Sequence, residues 1–460
     1  MSEEQNIVII GCGAGGGTAA HLARKTDRKS TITILEKGRY PQYSKCALPY
    51  AISGDVSEFK DLIEFSEEWF KKERIDLFLD TTVKKIDTKR QVIIAKRDDT
   101  TIEKPYDRLI ISTGALPVIP PIQNIYHNGT LIKGIHVLRT LQDAQGIDSI
   151  VSKIKNATIV GGGLIGIEMA DSLHKKGLKV NVVESLPNIL ANTLDEDMCN
   201  LLSEEIQKNV SLFVNHFATK VESNNNSISG IILKDNKTGE EKRIKTDLLV
   251  IAAGTKPDVD LAKSIGCKTG ETGSIIVNDR CETNVKNVYA VGDCTEYTDF
   301  VTNKPVSIGL GSIVVKQGIA AGINAAGGEY RLPKGVLQTR TSKFFGLEIA
   351  AVGPTSNHLQ DIPIVSGKFR GYSLPEYFPD RKSITIKLIV NKNTGNILAA
   401  QAVGSNAALR INTFACAILN GMNINELKKL ETAYAPQVAP TLDAITLVCD
   451  IVSMKLSRRG

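Results

Sequence analysis

Glycines near the start of the chain have the spacing that lets a backbone approach a dinucleotide diphosphate. Gly11, Gly13 and Gly16 directly follow the apolar residues 7–10 and precede a helical pattern, and Glu36 lies twenty residues after Gly16. The glycines permit a tight turn in which N–H groups and a helix N-terminus face the diphosphate, while the carboxylate accepts hydrogen bonds from a ribose. In this setting of strand, turn, helix and acid, the pattern predicts a dinucleotide-binding site.

The same arrangement returns 150 residues later in the chain. Gly161, Gly163 and Gly166 follow another apolar run, and Glu184 lies eighteen residues after Gly166. A carboxylate at this place accepts a hydrogen bond from the 2′-hydroxyl of NADH and repels the 2′-phosphate of NADPH, which favours NADH. Three lysines leave NADPH open as an alternative: Lys175, Lys176 and Lys179. A Rossmann-like repeat that binds no nucleotide is the other alternative.

Three further segments end in residues suited to contact with a cofactor. Residues 283–293 have the pattern Thr-x4-Val-Tyr-Ala-x-Gly-Asp, which places Asp293 just past a short strand. From there the carboxylate can accept hydrogen bonds from a polyhydroxyl chain such as the ribityl of FAD, although a buried strand followed by a turn aspartate would look similar. Gly114 and Gly254 each follow an apolar strand, among small residues that let the chain pass close to a ligand.

The elements that position these residues alternate between strand and helix as far as about residue 330. Apolar strand-like runs occupy residues 7–10, 32–35, 109–111, 158–160, 180–183 and 248–251. Such alternation predicts parallel sheets covered by helices on both faces. Prolines in residues 117–121 predict a linker, because proline fixes φ and interrupts regular elements.

Beyond residue 330 the pattern changes. Strands are predicted at 383–390 and 397–403, joined by a hairpin-like turn at 391–395, and helices follow at 406–420 and 424–430. The sequence therefore predicts an α/β fold with two Rossmann-like dinucleotide-binding domains and a C-terminal α+β domain.

Composition excludes several classes of protein. The chain has 460 residues, a length that suggests about three domains, and its 42% hydrophobic and 23% charged residues are typical of globular rather than disordered proteins. The net charge of +6 is spread along the chain, without the basic run of a nucleic-acid reader. The sequence contains no apolar stretch of ~18 residues, so it predicts no membrane span. The acidic N-terminus does not fit a signal peptide, and we therefore expect a cytoplasmic protein.

The cysteines do not form a recognisable ligand set. They are scattered without a Cys-x-x-Cys pair: Cys12, Cys46, Cys199, Cys267, Cys281, Cys294, Cys416 and Cys449. This spacing predicts neither a structural zinc site nor a secreted disulfide framework, and no metal site is expected.

Taken together, these motifs resemble those of the FAD- and NAD(P)-dependent pyridine nucleotide-disulfide oxidoreductases over essentially the whole chain. The resemblance implies bound FAD, NAD(P)H as hydride donor and a homodimer. It also implies a division into an FAD-binding domain of residues 1–120 and 260–328, an NAD(P)H-binding domain of residues 121–259, and a dimerisation domain of residues 329–460. The motif set is specific for the fold and less so for the substrate.

Cys46 identifies the branch of that family. It lies in residues 43–54 without the second cysteine of the two-cysteine members, and the six histidines end at His358, so the C-terminal His–Glu pair of the glutathione reductase type is absent. The segment resembles the single-cysteine branch, which includes coenzyme A-disulfide reductase, NADH oxidase, NADH peroxidase and persulfide or polysulfide reductases. In that branch the cysteine lies beside the flavin and cycles through a mixed disulfide, persulfide or sulfenic acid.

A positive neighbour such as Lys45 is expected to lower the pKa of the Cys46 thiol and favour the nucleophilic thiolate. A lone cysteine is otherwise usually a small buried hydrophobe.

The resemblance also predicts the residues that hold the two cofactors. Those expected at FAD are Gly11, Gly13, Ala14, Gly15, Gly16, Glu36, Lys37, Lys45, Thr113, Gly114 and Asp293. Those expected at NAD are Gly161, Gly163, Leu164, Ile165, Gly166, Glu168, Glu184 and Gly254. Glu168 resembles an acid that lies near the nicotinamide and orients its ring, although an acid close to a helix N-terminus is also favourable in itself.

Two tyrosines are expected to join Cys46 as catalytic residues. Residues 431–436 around Tyr434 resemble a Tyr-Ala-Pro-Pro signature of coenzyme A-disulfide reductases, and Tyr377 resembles a tyrosine of their Tyr-Tyr-Pro segment. In that family such tyrosines reach the cysteine of the other subunit, where a phenol can donate a proton to a leaving thiolate. Ordinary interface packing is the alternative. Departures such as Phe378, Gln42 and Lys45 leave recognition of coenzyme A open.

The function expected from these residues is reduction of a small disulfide, persulfide or polysulfide by NAD(P)H through FAD and Cys46. The first glycine loop and the residues after it, 14–18, lack the histidine typical of oxidase and peroxidase members, which favours a sulfur acceptor. An NADH oxidase that uses O2 is one alternative. A flavin reductase, or a redox sensor, that serves a protein partner is the other.

Overall fold

The computed structural model describes residues 4–458. Its N-terminal stretch begins with the predicted strand, glycine turn and helix. The strands are β1 Asn6–Ile10, β2 Thr31–Leu35, β3 Ile75–Phe78, β4 Thr81–Asp87, β5 Val92–Arg97, β6 Thr100–Pro105, β7 Arg108–Ile111 and β8 Ala115–Pro117. The helices are α1 Ala14–Thr26, α2 Leu48–Ser53 and α3 Glu67–Lys72, with short 3₁₀ turns at Lys45–Ala47 and Phe59–Leu62.

The middle of the chain repeats this order of elements. Its strands are β9 Tyr126–His127, β10 Thr130–Leu131, β11 Ile135–Val137, β12 Asn156–Val160, β13 Lys179–Glu184, β14 Ser211–Val214, β15 His216–Asn224, β16 Ser227–Asp235, β17 Glu241–Lys245, β18 Leu248–Ile251 and β19 Thr255–Pro257. Its helices are α4 Leu141–Val151, α5 Leu164–Lys175, α6 Glu196–Ile206 and α7 Asp260–Ser264.

The remaining chain returns to the first unit and then forms the C-terminal one. Its strands are β20 Val288–Ala290, β21 Tyr297–Thr298, β22 Pro305–Val306, β23 Arg340–Phe344, β24 Leu347–Val352, β25 Ile364–Tyr372, β26 Ser383–Asn391 and β27 Ile397–Gly404. Its helices are α8 Gly311–Ala325, α9 Ala407–Leu419, α10 Ile424–Leu427 and α11 Ala444–Ser457, with a 3₁₀ turn at Ser356–Leu359.

Three five-stranded sheets organise these elements. The first has the order β20-β7-β1-β2-β3 and the second the order β11-β18-β12-β13-β14, and every pair in both is parallel. The third is antiparallel in the order β23-β24-β27-β26-β25. The predicted α/β fold with two Rossmann-like units and an α+β unit is therefore confirmed. The predicted last helix is shorter than expected and ends at Leu427.

The two places where the chain crosses between the Rossmann-like units lie side by side. β8 pairs antiparallel with β19, so that Leu116 faces Lys256 in the ladder. Pro117 ends β8, and regular structure resumes only at β9, as the proline-rich linker predicts. The two connections therefore form one hydrogen-bonded ribbon.

A cluster of charged side chains attaches the second unit to the C-terminal sheet. Lys387 on β26 places its Nζ 2.7 Å from an Asp195 oxygen and 2.6 Å from an Asp197 oxygen. Asp195 stands at the start of α6 and also accepts a hydrogen bond of 2.6 Å from the hydroxyl of Ser356. Lys387 and Asp195 are both largely buried, and buried ion pairs depend on good geometry and further hydrogen bonds, both of which are present.

The short helix α2 lies where the three units meet. Leu48 and Ile52 are fully buried, in one apolar cluster with Ile167 of α5 and Phe344 of β23. Gly54 ends the helix in the left-handed region at φ 87°, which a side-chain-bearing residue adopts only with strain. One apolar face of α2 thus fixes the turn at Cys46 against both other units.

We expect Ile52→Ala to lower the stability of the whole chain, because it leaves a cavity where the three units share a core. Truncation of a fully buried isoleucine typically costs about 2–5 kcal/mol. The melting temperature followed by circular dichroism should fall by several degrees, whereas Ile276→Ala, which truncates an isoleucine that is 43% exposed, should change it little. Equal melting temperatures of the two variants would contradict this assignment of the core.

Candidate functional site

The two glycine loops lead into helices whose first turns have free backbone N–H groups. Gly13 is the N-cap of α1 and Gly163 the N-cap of α5, and neither helix has a side-chain cap or an acidic residue in its first turn. A Cβ built at Gly13 or Gly163 would meet no atom within 4 Å, so open space lies in front of both loops. Uncapped N–H groups and the positive end of the helix dipole favour an anion in that space.

The third glycine of each loop is required for close packing rather than for ligand access. A Cβ built at Gly16 would lie 1.9 Å from the carbonyl oxygen of Gly11, and one at Gly166 would lie 1.9 Å from that of Gly161. Only glycine therefore lets α1 and α5 pack this closely on the strands before them. The geometry that the two units share thus follows from the spacing of their glycines.

The two predicted acids each hold the loop beside them. Glu36 accepts hydrogen bonds from the backbone N–H groups of Cys12 at 2.6 Å and Gly38 at 2.7 Å. Glu184 accepts from Gly162 at 2.7 Å and from Leu186 at 2.8 Å. Each carboxylate therefore stands at the end of its strand beside the glycine turn, where a ribose hydroxyl would reach it.

A cavity of about 480 Å³ opens in front of the first loop. The residues expected at FAD that line it are Gly11, Gly13, Ala14, Gly15, Glu36, Lys37, Lys45, Thr113, Gly114 and Asp293, together with Cys46. Gly16, the remaining residue of that set, packs behind the loop and does not line the cavity.

Two features of this cavity are absent from the sequence-based prediction. Arg139 donates to Asp293 at 2.6 Å and to the carbonyl of Ala115 at 3.0 Å, although the two ion-paired residues are 154 positions apart. The N-terminus of α8 also lines the cavity at Gly311, with no side-chain cap and no acid in its first turn. An isolated arginine carries no sequence signal, but Gly309 and Gly311 before an apolar helix could have indicated a third such terminus.

The polar groups of this cavity fit an anionic, polyhydroxyl dinucleotide. Gln42 is buried and its Oε1 atom has no hydrogen-bond partner, and Lys45 has no carboxylate within 4 Å in the part of the chain that the structure describes. Burial, followed by the charge of Arg139, lowers the pKa of the Lys45 ammonium. An unpaired amide oxygen, an unpaired cation and two uncapped helix termini would all be satisfied by a bound diphosphate and its sugars.

A larger cleft of about 1440 Å³ lies in front of the second loop. Of the residues expected at NAD, Gly161, Gly163, Leu164, Ile165, Glu184 and Gly254 line it. Gly166 packs behind the loop, and Glu168 lies off the lining, on the next turn of α5.

The three lysines considered for a 2′-phosphate are far from Glu184. Lys179 begins β13 and Glu184 ends it, a separation of about 16 Å along a strand. Lys175 lies at the far end of α5, where its Nζ is 2.8 Å from Asp55 and 3.2 Å from Asp171, and Lys176 follows it. The alternative that these lysines accept the phosphate of NADPH is therefore wrong.

Cys46 stands in the 3₁₀ turn before α2 and has exposed surface on the wall of the first cavity. Partial burial of the sulfur raises the pKa of the thiol, and the carboxylates of Glu168 and Asp293 raise it further, while the guanidinium of Arg139 lowers it. The prediction of a lowered pKa for this thiol is therefore wrong, because burial and the two carboxylates outweigh the positive charge of Arg139.

Glu168 connects the three units beside that cysteine. Its Oε1 atom accepts hydrogen bonds from the hydroxyl of Ser342 on β23 at 2.5 Å and from the phenol of Tyr50 on α2 at 3.4 Å. Burial raises the pKa of the Glu168 carboxyl, and these two hydrogen bonds oppose that effect. Sequence reasoning placed Glu168 near the cofactor but missed both partners.

The two tyrosines expected at the site are on the surface of the C-terminal unit. Tyr377 is 70% exposed in the loop between β25 and β26, and Tyr434 is 51% exposed in the segment between α10 and α11. Neither lines either cavity of its own chain. Any role at Cys46 therefore requires a second copy of the chain.

Comparison with known proteins agrees with this architecture. The family described as pyridine nucleotide-disulphide oxidoreductase matches residues 5–318, and the dimerisation domain of the same family matches residues 339–444. No helix between residues 4 and 458 is long and apolar enough to cross a membrane.

Three similar proteins cover the chain almost completely. A protein of Methanocaldococcus jannaschii named NADH oxidase is 35% identical and covers 98% of this chain and 99% of its own. The NAD(P)H coenzyme A polysulfide/persulfide reductase of Pyrococcus horikoshii is 30% identical, with 98% of each chain covered. The structure of an NAD-dependent persulfide reductase from A. fulgidus is 31% identical with a TM-score of 0.93, covering 98% of this chain and 84% of that one.

The charge of Glu168 provides a test of the Cys46 environment. Alkylation of reduced protein by iodoacetamide should accelerate as pH rises through a pKa above the ordinary thiol value. Glu168→Gln should lower that pKa, because the acid is ionised at the pH where the thiol titrates and its negative charge disfavours the thiolate. The measurement is the pH profile of the alkylation rate in a Cys416→Ser background, which removes the other exposed cysteine. Glu184→Gln is the matched control, and a midpoint unchanged by Glu168→Gln would contradict the assignment.

Proposed function

Because this chain belongs to the pyridine nucleotide-disulphide oxidoreductase family, we propose that it is an FAD-dependent NAD(P)H oxidoreductase that reduces a disulfide, persulfide or polysulfide through Cys46. One observation carries the proposal: of the eight cysteines, Cys46 alone lines the cavity that the first glycine loop faces. A nucleophilic sulfur beside a dinucleotide site is the arrangement needed to exchange with a disulfide and then be reduced by a bound cofactor.

The chemistry at Cys46 is an exchange followed by a reduction. Its thiolate attacks one sulfur of a disulfide R–S–S–R, forms a mixed disulfide and releases the thiolate RS⁻. Two electrons and a proton then cleave the mixed disulfide, which restores the Cys46 thiolate and releases RSH. With the proton taken up by the first leaving thiolate, the sum is one NADH, one proton and one disulfide converted to NAD⁺ and two thiols. A persulfide gives one thiol and one sulfide in the same way.

The chain holds the two cofactors in separate units in this proposal. Residues 1–120 and 260–328 bind FAD, with the diphosphate at residues 11–16, a ribose at Glu36 and the ribityl at Asp293. Residues 121–259 bind NADH, with its diphosphate at residues 161–166 and its adenosine ribose at Glu184. When bound, FAD supplies the electronic chemistry, accepting a hydride from NADH and passing two electrons to sulfur.

Glu168 is the residue proposed to orient the nicotinamide. It lies one turn into α5, between the second glycine loop and Tyr50, and it is close enough to Cys46 to affect the pKa of the thiol. One of its two oxygens is occupied by the hydroxyls of Ser342 and Tyr50. Its Oε2 atom accepts no hydrogen bond from residues 4–458, and in this proposal it accepts one from the amide N–H of a nicotinamide, which would fix the ring.

We assign Tyr434 and Tyr377 to the second subunit's share of the site. The C-terminal unit matches a dimerisation domain, and both phenols are exposed on it. In a homodimer they would approach Cys46 of the other chain, where a phenol can protonate the leaving thiolate. Gln42 and Lys45, which depart from the coenzyme A-disulfide reductase pattern, are the residues that we expect to influence whether the substrate carries coenzyme A.

NADH oxidase activity is the second candidate. The relative named NADH oxidase is 35% identical over nearly the whole chain. Against it stands the composition of residues 11–18, which contain no histidine to assist reduction of oxygen or peroxide. We therefore rank a sulfur acceptor first and expect oxygen consumption as a slow side reaction.

Replacement of the nucleophile separates these two functions. Cys46→Ser should abolish anaerobic NADH oxidation with disulfide, persulfide or polysulfide, because a hydroxyl cannot carry out the exchange. The variant should still bleach the flavin absorbance on addition of NADH, because the hydride step does not need the thiol. Cys416→Ser, which removes the other exposed cysteine, is the control. Full sulfur reduction by Cys46→Ser, or turnover with oxygen alone, would reject the proposed mechanism.

The second acid should determine the choice of nucleotide. Glu184→Gln should reduce the preference for NADH over NADPH by about tenfold, since it removes the charge that repels a 2′-phosphate. The measurement is the ratio of kcat/KM for the two nucleotides. Glu205→Gln makes the same change of charge on an exposed part of α6 and should leave the ratio unchanged. An equal ratio in both variants would contradict the placement of the adenosine ribose.

A further inference from the structure

Strand β23 belongs to the C-terminal sheet, but it turns alternate side chains toward the second Rossmann-like unit. Arg340, Ser342 and Phe344 face inward and are partly or fully buried, while Thr341 and Lys343 are exposed. Phe344 packs into the apolar cluster that contains helix α5. One face of the strand is thus a wall against the nucleotide-binding unit.

The contacts along this wall fix its direction relative to α5. Ser342 donates to Glu168, and the next residues bring the ring of Phe345 to 5.8 Å from that of His174, near the C-terminal end of the helix. Arg340 lies two strand residues before Ser342, about 6.6 Å back along the wall. Leu164, at the start of α5, lies four helical residues before Glu168, which is about 6 Å along the helix axis. Arg340 is therefore level with the uncapped first turn of the helix.

A second set of contacts places Arg340 near the glycine loop itself. Its Nη1 atom donates to the carbonyl oxygen of Asn192 at 2.5 Å. In the same short segment, the N–H of Leu190 donates to the carbonyl of Gly162 at 2.9 Å. The guanidinium and the glycine loop are therefore attached to opposite ends of one three-residue stretch, and both line the larger cleft.

The guanidinium of Arg340 lacks the direct carboxylate partner that the other cations of the cleft have. In the same cleft, Arg139 pairs with Asp293 at 2.6 Å and Lys304 pairs with Asp361 at 2.6 Å. Arg340 has no carboxylate within 4 Å among residues 4–458, and its hydrogen bonds go to Asn192, Thr193 and Gln338. The acid that favours its charge, Asp299, is reached only through the amide of Gln338. Largely buried guanidinium groups are normally paired, because desolvation of an isolated charge is costly.

We propose that the inward face of β23 completes the pyridine-nucleotide site, with Arg340 as the counter-charge of the dinucleotide diphosphate and Ser342 as the residue that positions Glu168 for the nicotinamide amide. This inference rests on the proposed function, because it assumes that the second cleft binds NADH. The diphosphate carries two negative charges, and α5 alone offers it N–H groups without a full positive charge. Arg340 supplies that charge from another domain.

The part played by Ser342 follows from the two oxygens of Glu168. Ser342 and Tyr50 both donate to Oε1, so the carboxylate cannot rotate without losing a hydrogen bond. Oε2 is then held in one direction, as an acceptor for the N–H of a carboxamide. A nicotinamide with an amide should therefore bind better than an analogue in which a methyl group replaces the NH2.

Binding to oxidised, FAD-loaded protein tests both residues without turnover. The probes for isothermal titration calorimetry are ADP-ribose, NAD⁺ and 3-acetylpyridine adenine dinucleotide, which lacks the amide N–H. Arg340→Gln should weaken all three by about tenfold, since it removes one charge-assisted contact to the diphosphate. Arg340→Lys should keep part of that affinity. Lys343→Gln, which loses the same charge on the outward face, should bind all three like the wild type.

Ser342→Ala should give a different pattern. It should leave ADP-ribose binding unchanged and should reduce the preference for NAD⁺ over the acetylpyridine analogue by about fivefold to tenfold. Ser342→Thr retains the hydroxyl and should restore the preference, and Thr341→Ala is the outward-facing control. Flavin absorbance and melting temperature confirm that each variant is folded before binding is measured.

The possible outcomes distinguish this inference from the function on which it rests. If the wild type binds ADP-ribose and NAD⁺ but Arg340→Gln and Ser342→Ala match their outward-facing controls, the inference is overturned and the proposed function stands. If Arg340→Gln does not fold, ADP-ribose binding by Arg340→Lys that does not weaken as the salt concentration rises overturns the charge assignment. If the wild type binds none of the probes, both fail.

Discussion

The burial of one face of α2 fixes the turn that holds Cys46 against all three units of this molecule. Leu48 and Ile52 pack into a core that the two Rossmann-like units and the C-terminal sheet share, and Cys46 occupies the turn directly before them. A sulfur attached to a surface loop could sample many positions. This sulfur is one turn away from a helix with a buried apolar face, so its distance from each nucleotide cavity is set by apolar packing rather than by the ligands.

The two nucleotide-binding units start from the same construction and diverge in what surrounds it. Both have an uncapped helix N-terminus, an open N-cap glycine and an acid that holds the glycine turn. The first adds Lys37 and Lys45 and a second helix N-terminus at α8, and Arg139 lines both cavities. The second is wider and is bounded by a strand of another domain. These differences suit a cofactor that stays bound in the first unit and one that exchanges in the second.

Sequence reasoning predicts most of the fold, because its main signals are local. A strand, three glycines, a helix and an acid about twenty residues further on describe a unit whose geometry depends on its own neighbours, and each Rossmann-like unit has that form. The contacts that decide chemistry are not local. Arg139 meets Asp293 across 154 residues and Ser342 meets Glu168 across 174, and nothing in either short segment indicates its partner. The predicted direction of the Cys46 pKa shift is wrong for the same reason. Burial depends on the whole chain, whereas the sequence shows only that Lys45 is the neighbouring residue. Tyr377 and Tyr434 stay predictions, because their partner is another molecule.

The paired connections β8 and β19 bear on how the second unit moves when a nucleotide exchanges. Two crossings that are hydrogen-bonded to each other form a single ribbon, and a ribbon by itself would let the second unit swing as a rigid body. The ion pairs of Lys387 with Asp195 and Asp197 hold that unit at a second place, away from the ribbon. A body fixed along two separate lines does not rotate freely. We therefore expect nucleotide exchange to proceed by side-chain and loop movement at the mouth of a cleft that stays formed, without rotation of the second unit.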